Sequence, residues 1–132
     1  MAQARGVRFA QPLRWEQVTD DLDAFDTIIL ARNNFGLRGD RHDVAGTLMG
    51  LAGIAMPRAL LISDTVSPSR GGDTSDDYFY RVRYHDRATP WFKYLMFEPD
   101  DLAALVAGTG WQVHSIHDTG EPRWNFVLEF SG

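Results

Sequence analysis

The run Phe25 to Ala31, FDTIILA, is largely apolar and β-branched and shows no polar alternation. A strand with one solvated face alternates every second residue, so this run reads as a strand covered on both faces, as in a parallel sheet. A second run of the same kind, Arg58 to Val66 (RALLISDTV), follows it. Between the two, Val44, Leu48, Leu51 and Ala55 recur at spacings of four, three and four, which puts them on one face of a helix over 42 to 56. Asp40 or Asp43 is placed to cap that helix, and Pro57 to end it. Its glycines Gly46, Gly50 and Gly53 each cost about 1 kcal/mol relative to alanine, so the sequence predicts that they serve close packing on a sheet. Strand, helix and strand make a βαβ unit with a right-handed crossover, and the fold class that follows is α/β.

The pattern then changes. After the loop Ser67 to Asp77, Tyr78, Tyr80, Val82 and Tyr84 alternate with Phe79, Arg81, Arg83 and His85, and the run Trp91 to Phe97 is again strand-like, which predicts an antiparallel hairpin. In EPDDLAALVAGTG, Pro99 takes a first-turn position, with Asp100 and Asp101 at the positive end of a helix dipole. Leu102, Leu105 and Val106 form the buried face of this helix over 99 to 108, and Gly108 and Gly110 stop it. Trp111 to His117 and Trp124 to Phe130 are two further strands joined by a turn at Thr119, Gly120 and Pro122. Trp124, Phe126, Leu128 and Phe130 share one face of the second. Ahead of all this, Met1 to Gln11 reads as a short helical piece and a brief strand, Val7 to Ala10, and Pro12 to Asp23 as a solvated connector. Residues 1–132 are thus expected to form one domain, with 1–24 as a poorly defined N-terminal segment.

Several function classes are disfavoured. The formal net charge is -5 and the 13 basic residues are scattered, which argues against a nucleic-acid partner. Without cysteine there is no disulfide or thiolate metal site, as suits a reducing, cytoplasmic setting. The N-terminus has no apolar core of a signal peptide, and the longest apolar stretch is broken by Pro57 and Arg58, so no membrane span is expected. No metal is expected either. His114 and His117, three apart on a strand, point to opposite faces; His42 and His85 read as solvated loop residues. Asp73, Asp76 and Asp77 lie in a loop where solvation is the ordinary role. No HExxH, nucleophile elbow or Walker-type loop occurs.

The strongest local candidate is Asn33 to Leu37, because ligands of open α/β sheets bind beyond the carboxyl ends of strands. Two amides, an aromatic ring and a glycine offer hydrogen bonds, a stacking face and close backbone approach; the ordinary alternative is a plain turn. Arg81 and Arg83 share one hairpin face with His85 and offer an anion-binding surface, the alternative being a solvated strand face.

Taken in order, these pieces resemble the C-terminal half of class I S-adenosylmethionine-dependent methyltransferases, over about residues 6 to 131. FDTIILARNNFGL resembles their fourth strand and cofactor-side loop, and RALLISDTV their fifth strand. PDDLAALVAGTGW resembles their last crossover helix, followed by a reversed C-terminal β-hairpin. The resemblance implies a partial Rossmann-like fold with a mixed sheet, S-adenosylmethionine as cofactor and methyl transfer to a small-molecule substrate. It places Asn33, Asn34, Phe35 and Gly36 at the pocket edge nearest the transferred methyl, and Gln11, within Phe9 to Leu13, near the adenine. The hairpin, with Arg81, Arg83, Tyr84 and Trp91, takes the substrate side. Two departures stand out: Gln11-Pro12-Leu13 offers no acid, and no GxGxxG occurs in these 132 residues. The expectation is therefore an enzyme incomplete as this chain. The alternative is a non-catalytic remnant serving as a dimerisation or interaction module. Without the family's first strands, the fourth is left as an apolar edge that invites pairing, with Val7 to Ala10, a second copy or a partner chain carrying the glycine-rich half.

Overall fold

The computed structural model describes residues 2–39, 41–71 and 79–132, without the side chains of residues 38, 41 and 42. Asp40, Tyr78, Asp73, Asp76 and Asp77 lie outside the described residues, as does the side chain of His42. Two 3-10 turns, Gln3–Arg5 and Trp15–Gln17, precede β1 (Phe25–Leu30). A third, Asn34–Arg38, leads into α1 (Arg41–Ala52) and then β2 (Ala55–Val66). The hairpin consists of β3 (Phe79–Tyr80), β4 (Arg83–Tyr84), β5 (Arg87–Ala88) and β6 (Phe92–Lys93). The turn Pro99–Asp101 opens α2 (Leu102–Val106), and β7 (Trp111–His117) and β8 (Arg123–Phe130) follow.

The main sheet runs β1-β2-β8-β7, its first pair parallel and the other two antiparallel. This is the mixed sheet expected from a βαβ unit followed by a reversed hairpin. One core lies between a single sheet face and the two helices, built from Val44, Leu48 and Leu51 of α1, Leu102, Leu105 and Val106 of α2, and Leu61, Trp124, Phe126 and Leu128 of the sheet. Trp111 Nε1 donates to the Leu48 carbonyl at 2.8 Å and Trp124 Nε1 to that of Phe97 at 3.2 Å, so both buried indoles are satisfied. Phe35 stacks on Phe126 with centroids 5.7 Å apart. No helix among the described residues is long and apolar enough to cross a membrane.

The structure corrects the sequence reading in several places. Helix α1 ends at Ala52, where Gly53 N donates to Gly50 O and Ile54 N to Leu51 O, so Ala55 and Pro57 belong to β2. Pro57 is tolerated there because the β1–β2 register slips between Phe25↔Ala55 and Thr27↔Leu60; Arg58 has φ 63, and an irregular stretch asks no ladder hydrogen bond of a proline. Gly46 and Gly50 do not pack on the sheet: both are exposed, and an added Cβ would meet nothing within 4 Å. Val7 to Ala10 is not a strand. Gly6, at φ 93, turns the chain, Gln3 Nε2 donates to Ala10 O at 3.1 Å, and Phe9 is 91% exposed. Among the described residues nothing pairs with the outer edge of β1. Nor is β1 covered on both faces: Ile28 packs on the core and Leu30 is buried, whereas Ile29 is 65% exposed.

Two further elements differ from expectation. Of Trp91 to Phe97 only β6 is strand, since Leu95 N donates to Gly36 O at 3.0 Å instead of to a hairpin partner. In β7 the pairing passes from Val113↔Leu128 to Ser115↔Val127, so His114 is the extra residue of a bulge. His114 lies 3.4 Å from Glu129 and His117 stands opposite Asn125; residues 125 and 129 share a face of β8, so the bulge brings both histidines to that face. Among the described residues, no group of three metal-ligating side chains is present.

Candidate functional site

The chain leaves the sheet at the carboxyl end of β1 through two consecutive left-handed residues, Arg32 (φ 61) and Asn33 (φ 57). Each such non-glycine residue costs about 1–2 kcal/mol, so the turn persists only where its surroundings hold it. Asp64 Oδ1 accepts from Arg32 N at 2.6 Å and from Asn33 N at 3.4 Å, while Asp64 Oδ2 pairs with Arg123 Nη1. Asn33 Nδ2 donates to Leu95 O at 2.9 Å. Gly36 lies so close to this segment that a Cβ would stand 2.5 Å from Leu95 O and 2.6 Å from Asn33 Nδ2. Tyr94 donates its hydroxyl to Arg32 O at 3.3 Å. Loop and hairpin root are thereby laced together.

Within the loop, Asn33, Phe35 and Gly36 are buried and Asn34 is half-buried. Among the described residues Asn33 Oδ1 is buried without a hydrogen-bond partner, an unused acceptor at the strand end. Gln11 lies apart. It lines, with Phe9, Leu13 and Phe25, a cleft of about 620 Å³ beside the start of β1, whereas Asn33 follows its end. On the hairpin, the Arg81 guanidinium lies 4.8 Å from the Trp91 ring centroid, a cation–π contact. Arg83 and Tyr84 form β4, both exposed. The aromatic contact next to the loop is made instead by Tyr94, with Tyr80 at 4.9 Å and Phe92 at 6.3 Å between centroids. Sequence reasoning passed over Tyr94; its one signal was its alternation with Phe92. Asp64 and Arg123 left no signal at all.

A second clamp sits beyond β2. Glu98 accepts from Ser69 N at 2.8 Å and from the buried Ser67 hydroxyl, and Arg70 meets Asp118 through two bonds of 2.5 and 2.9 Å. Burial pushes the Glu98 carboxyl up, but hydrogen bonds from Ser67 and Ser69 and the nearby Arg70 outweigh it, and the net shift is downward. The Arg70 hydrogen bond, with Gly120 N, holds Asp118 down at about 2. Both groups hold the start of the loop after β2. What the site offers at Asn33–Gly36 is amide and backbone surface, chiefly at Asn34; the stacking face expected of Phe35 is not available, because its ring is 1% exposed and packs on Phe126 in the core.

No protein-family model and no curated protein matches the sequence. Solved structures do match. An S-adenosylmethionine-dependent methyltransferase from Bacteroides fragilis, solved with S-adenosyl-L-homocysteine, aligns over 98% of this chain with a TM-score of 0.80 at 18% identity. One from Clostridium acetobutylicum aligns over 98% with a TM-score of 0.70 at 10% identity. A sugar N-methyltransferase from a Streptoalloteichus species aligns over 83% with a TM-score of 0.57 at 16% identity. The chain spans 57%, 68% and 57% of their lengths, respectively. At such identities the likeness is one of fold.

Proposed function

We propose that this chain, which has part of the class I methyltransferase fold, serves S-adenosylmethionine-dependent methyl transfer to a small-molecule acceptor. Its site is completed by a glycine-rich half that these 132 residues do not contain. The observation that carries this reading is the match of nearly the whole chain to a methyltransferase solved with the demethylated cofactor. A buried, unused Asn33 Oδ1 and a half-exposed Asn34 at the carboxyl end of β1 fit the edge of such a cofactor. In this reading Asn34 meets the ligand, and Asn33, Phe35 and Gly36 shape the edge. For Gln11 to reach the adenine, residues 7–13 must lie differently in the completed site. When bound, the cofactor supplies a methyl group on a good leaving group, so the chain's residues are asked for alignment more than for proton transfer.

The acceptor side is the hairpin, with Arg81, Arg83, Tyr84 and Trp91, and the likeness to a sugar N-methyltransferase supports a small acceptor. Calorimetric titration with S-adenosylhomocysteine tests the reading. The chain alone is expected to bind weakly or not at all, since it has no GxGxxG turn to let the backbone approach the cofactor closely. Addition of the part of the Bacteroides fragilis protein that this chain does not span should restore binding. No gain on completion overturns the methyltransferase reading, and micromolar binding by the chain alone overturns its incompleteness. A second reading, an interaction module that pairs through β1 with a second copy or a partner chain, is favoured by that strand's bare edge.

A further inference from the structure

We infer that Asp64, oriented by Arg123, is the positioning residue of the loop at the end of β1. The last ladder pair of β1 and β2 is Leu30↔Ser63, so Asp64 is the first residue of β2 beyond the point where β1 leaves the sheet. The amides of Arg32 and Asn33, instead of continuing the ladder, converge on one carboxylate oxygen of Asp64. An extended chain points successive N–H groups to opposite sides, so two consecutive amides reach one acceptor only when the backbone curls, as it does here at φ 61 and φ 57. The carboxylate thereby replaces the next rung of the sheet and starts the turn.

Arg123, from the strand on the other side of β2, takes the remaining carboxylate oxygen and fixes its direction. The Asp64 side chain is 16% exposed, so it has little water to fall back on if that partner is lost. Tyr94, from the hairpin, takes the carbonyl of the same Arg32 whose amide Asp64 holds. Both polar groups of one left-handed residue are thus held by side chains from different elements. If Arg32 and Asn33 relaxed, Asn33 Nδ2 would leave Leu95, and the turn Asn34–Arg38 would lose its first anchor. This role rests on the reading of the loop as the cofactor edge, and it gives Asp64 control of that edge without contact with any ligand.

The test has a ligand-free arm and a ligand arm. Asp64→Ala should speed amide exchange at Arg32 and Asn33 by at least about tenfold, as expected for a lost charge-assisted acceptor, with the core amides of Leu61 and Leu128 unchanged. Asp64→Asn, which keeps an acceptor oxygen, should stay within about threefold, and Arg123→Gln should fall between the two. Unchanged protection in Asp64→Ala overturns the inference, and so does a uniform speeding of all amides. If Asp64→Ala does not fold, Arg123→Gln decides: no local change at the two amides overturns the inference. In protein completed with the glycine-rich half, Asp64→Ala should weaken S-adenosylhomocysteine by about tenfold, and Asp64→Asn should rescue most of it. Unchanged affinity overturns the role at the site. A wild-type complex that binds nothing overturns the methyltransferase reading and the site role together, while the exchange data still decide whether Asp64 holds the turn.

Discussion

Gly36 shows how little room the loop has. Its hydrogen stands where a methyl group would press on Leu95 O and Asn33 Nδ2, both already bonded to each other. Gly36→Ala is expected to destabilise the fold by about 1–3 kcal/mol, read as a lower midpoint in urea. The carboxylates beyond β2 contribute to the acid limb of stability. Asp118 and Glu98 both have folded pKa values below their ordinary ones, so each contributes stability that is present above the ordinary value and lost as pH falls through the folded one. For Asp118 that window runs from 3.8 down to about 2. Melting temperatures between about pH 5 and about pH 2 should therefore fall with acidification, and Asp118→Asn should flatten the lower part of the curve. The tight turn at Asn33 and Gly36 was legible in the sequence, because tight turns attract such residues. Asp64, Arg123 and Tyr94 were not, since their bonds to Arg32 and to each other span 32 to 62 residues and follow no period.

Among the elements, α1 carries glycines with no structural use. Gly46 and Gly50 face open space, so Gly46→Ala and Gly50→Ala should each stabilise by up to about 1 kcal/mol, seen as raised melting temperatures that add in the double variant. Unchanged or lowered values would mean that the neighbouring cleft of about 320 Å³, which both line with Trp15, needs them small. The same helix shows where pattern reading ran out. Val44, Leu48 and Leu51 marked its buried face correctly, but Ala55 extended the period by chance into β2. A proline normally ends a helix, and here it sits in an irregular strand start that only the β1–β2 register reveals. Likewise the alternation argument for His114 and His117 held for a regular strand and failed at a bulge, which adds one residue and shifts the side chains after it to the other face. The apolar runs of β1 and β2 and the strand patterns of β7 and β8, by contrast, identified these four strands with small errors at their ends, although β1 is covered on one face only.

For the whole molecule, the uncovered side of β1 is the dominant fact. Ile29 and Phe25 are exposed on a strand whose outer edge has no partner strand among the described residues, a combination that natural sheets usually cover. The chain is expected to form a dimer or larger species at micromolar concentration, and light scattering on dilute protein should show a mass above that of one chain. A single species of 14.9 kDa with a cooperative melt would show that residues 1–24 suffice as cover. The edge was expected from the resemblance, which leaves the fourth strand without its neighbours; of the partners considered for it, Val7 to Ala10 is not a strand, and four residues carry no period by which to tell. The strand order also bears on time. β8, the last strand in the sequence, lies inside the sheet between β2 and β7, and its pairing with β2 joins residues as far apart as Leu60 and Glu129. The local β7–β8 hairpin can close early, but the sheet has no middle until residue 130 has been made, so during synthesis β1 and β2 wait as an unfinished pair that needs shelter from other nascent chains.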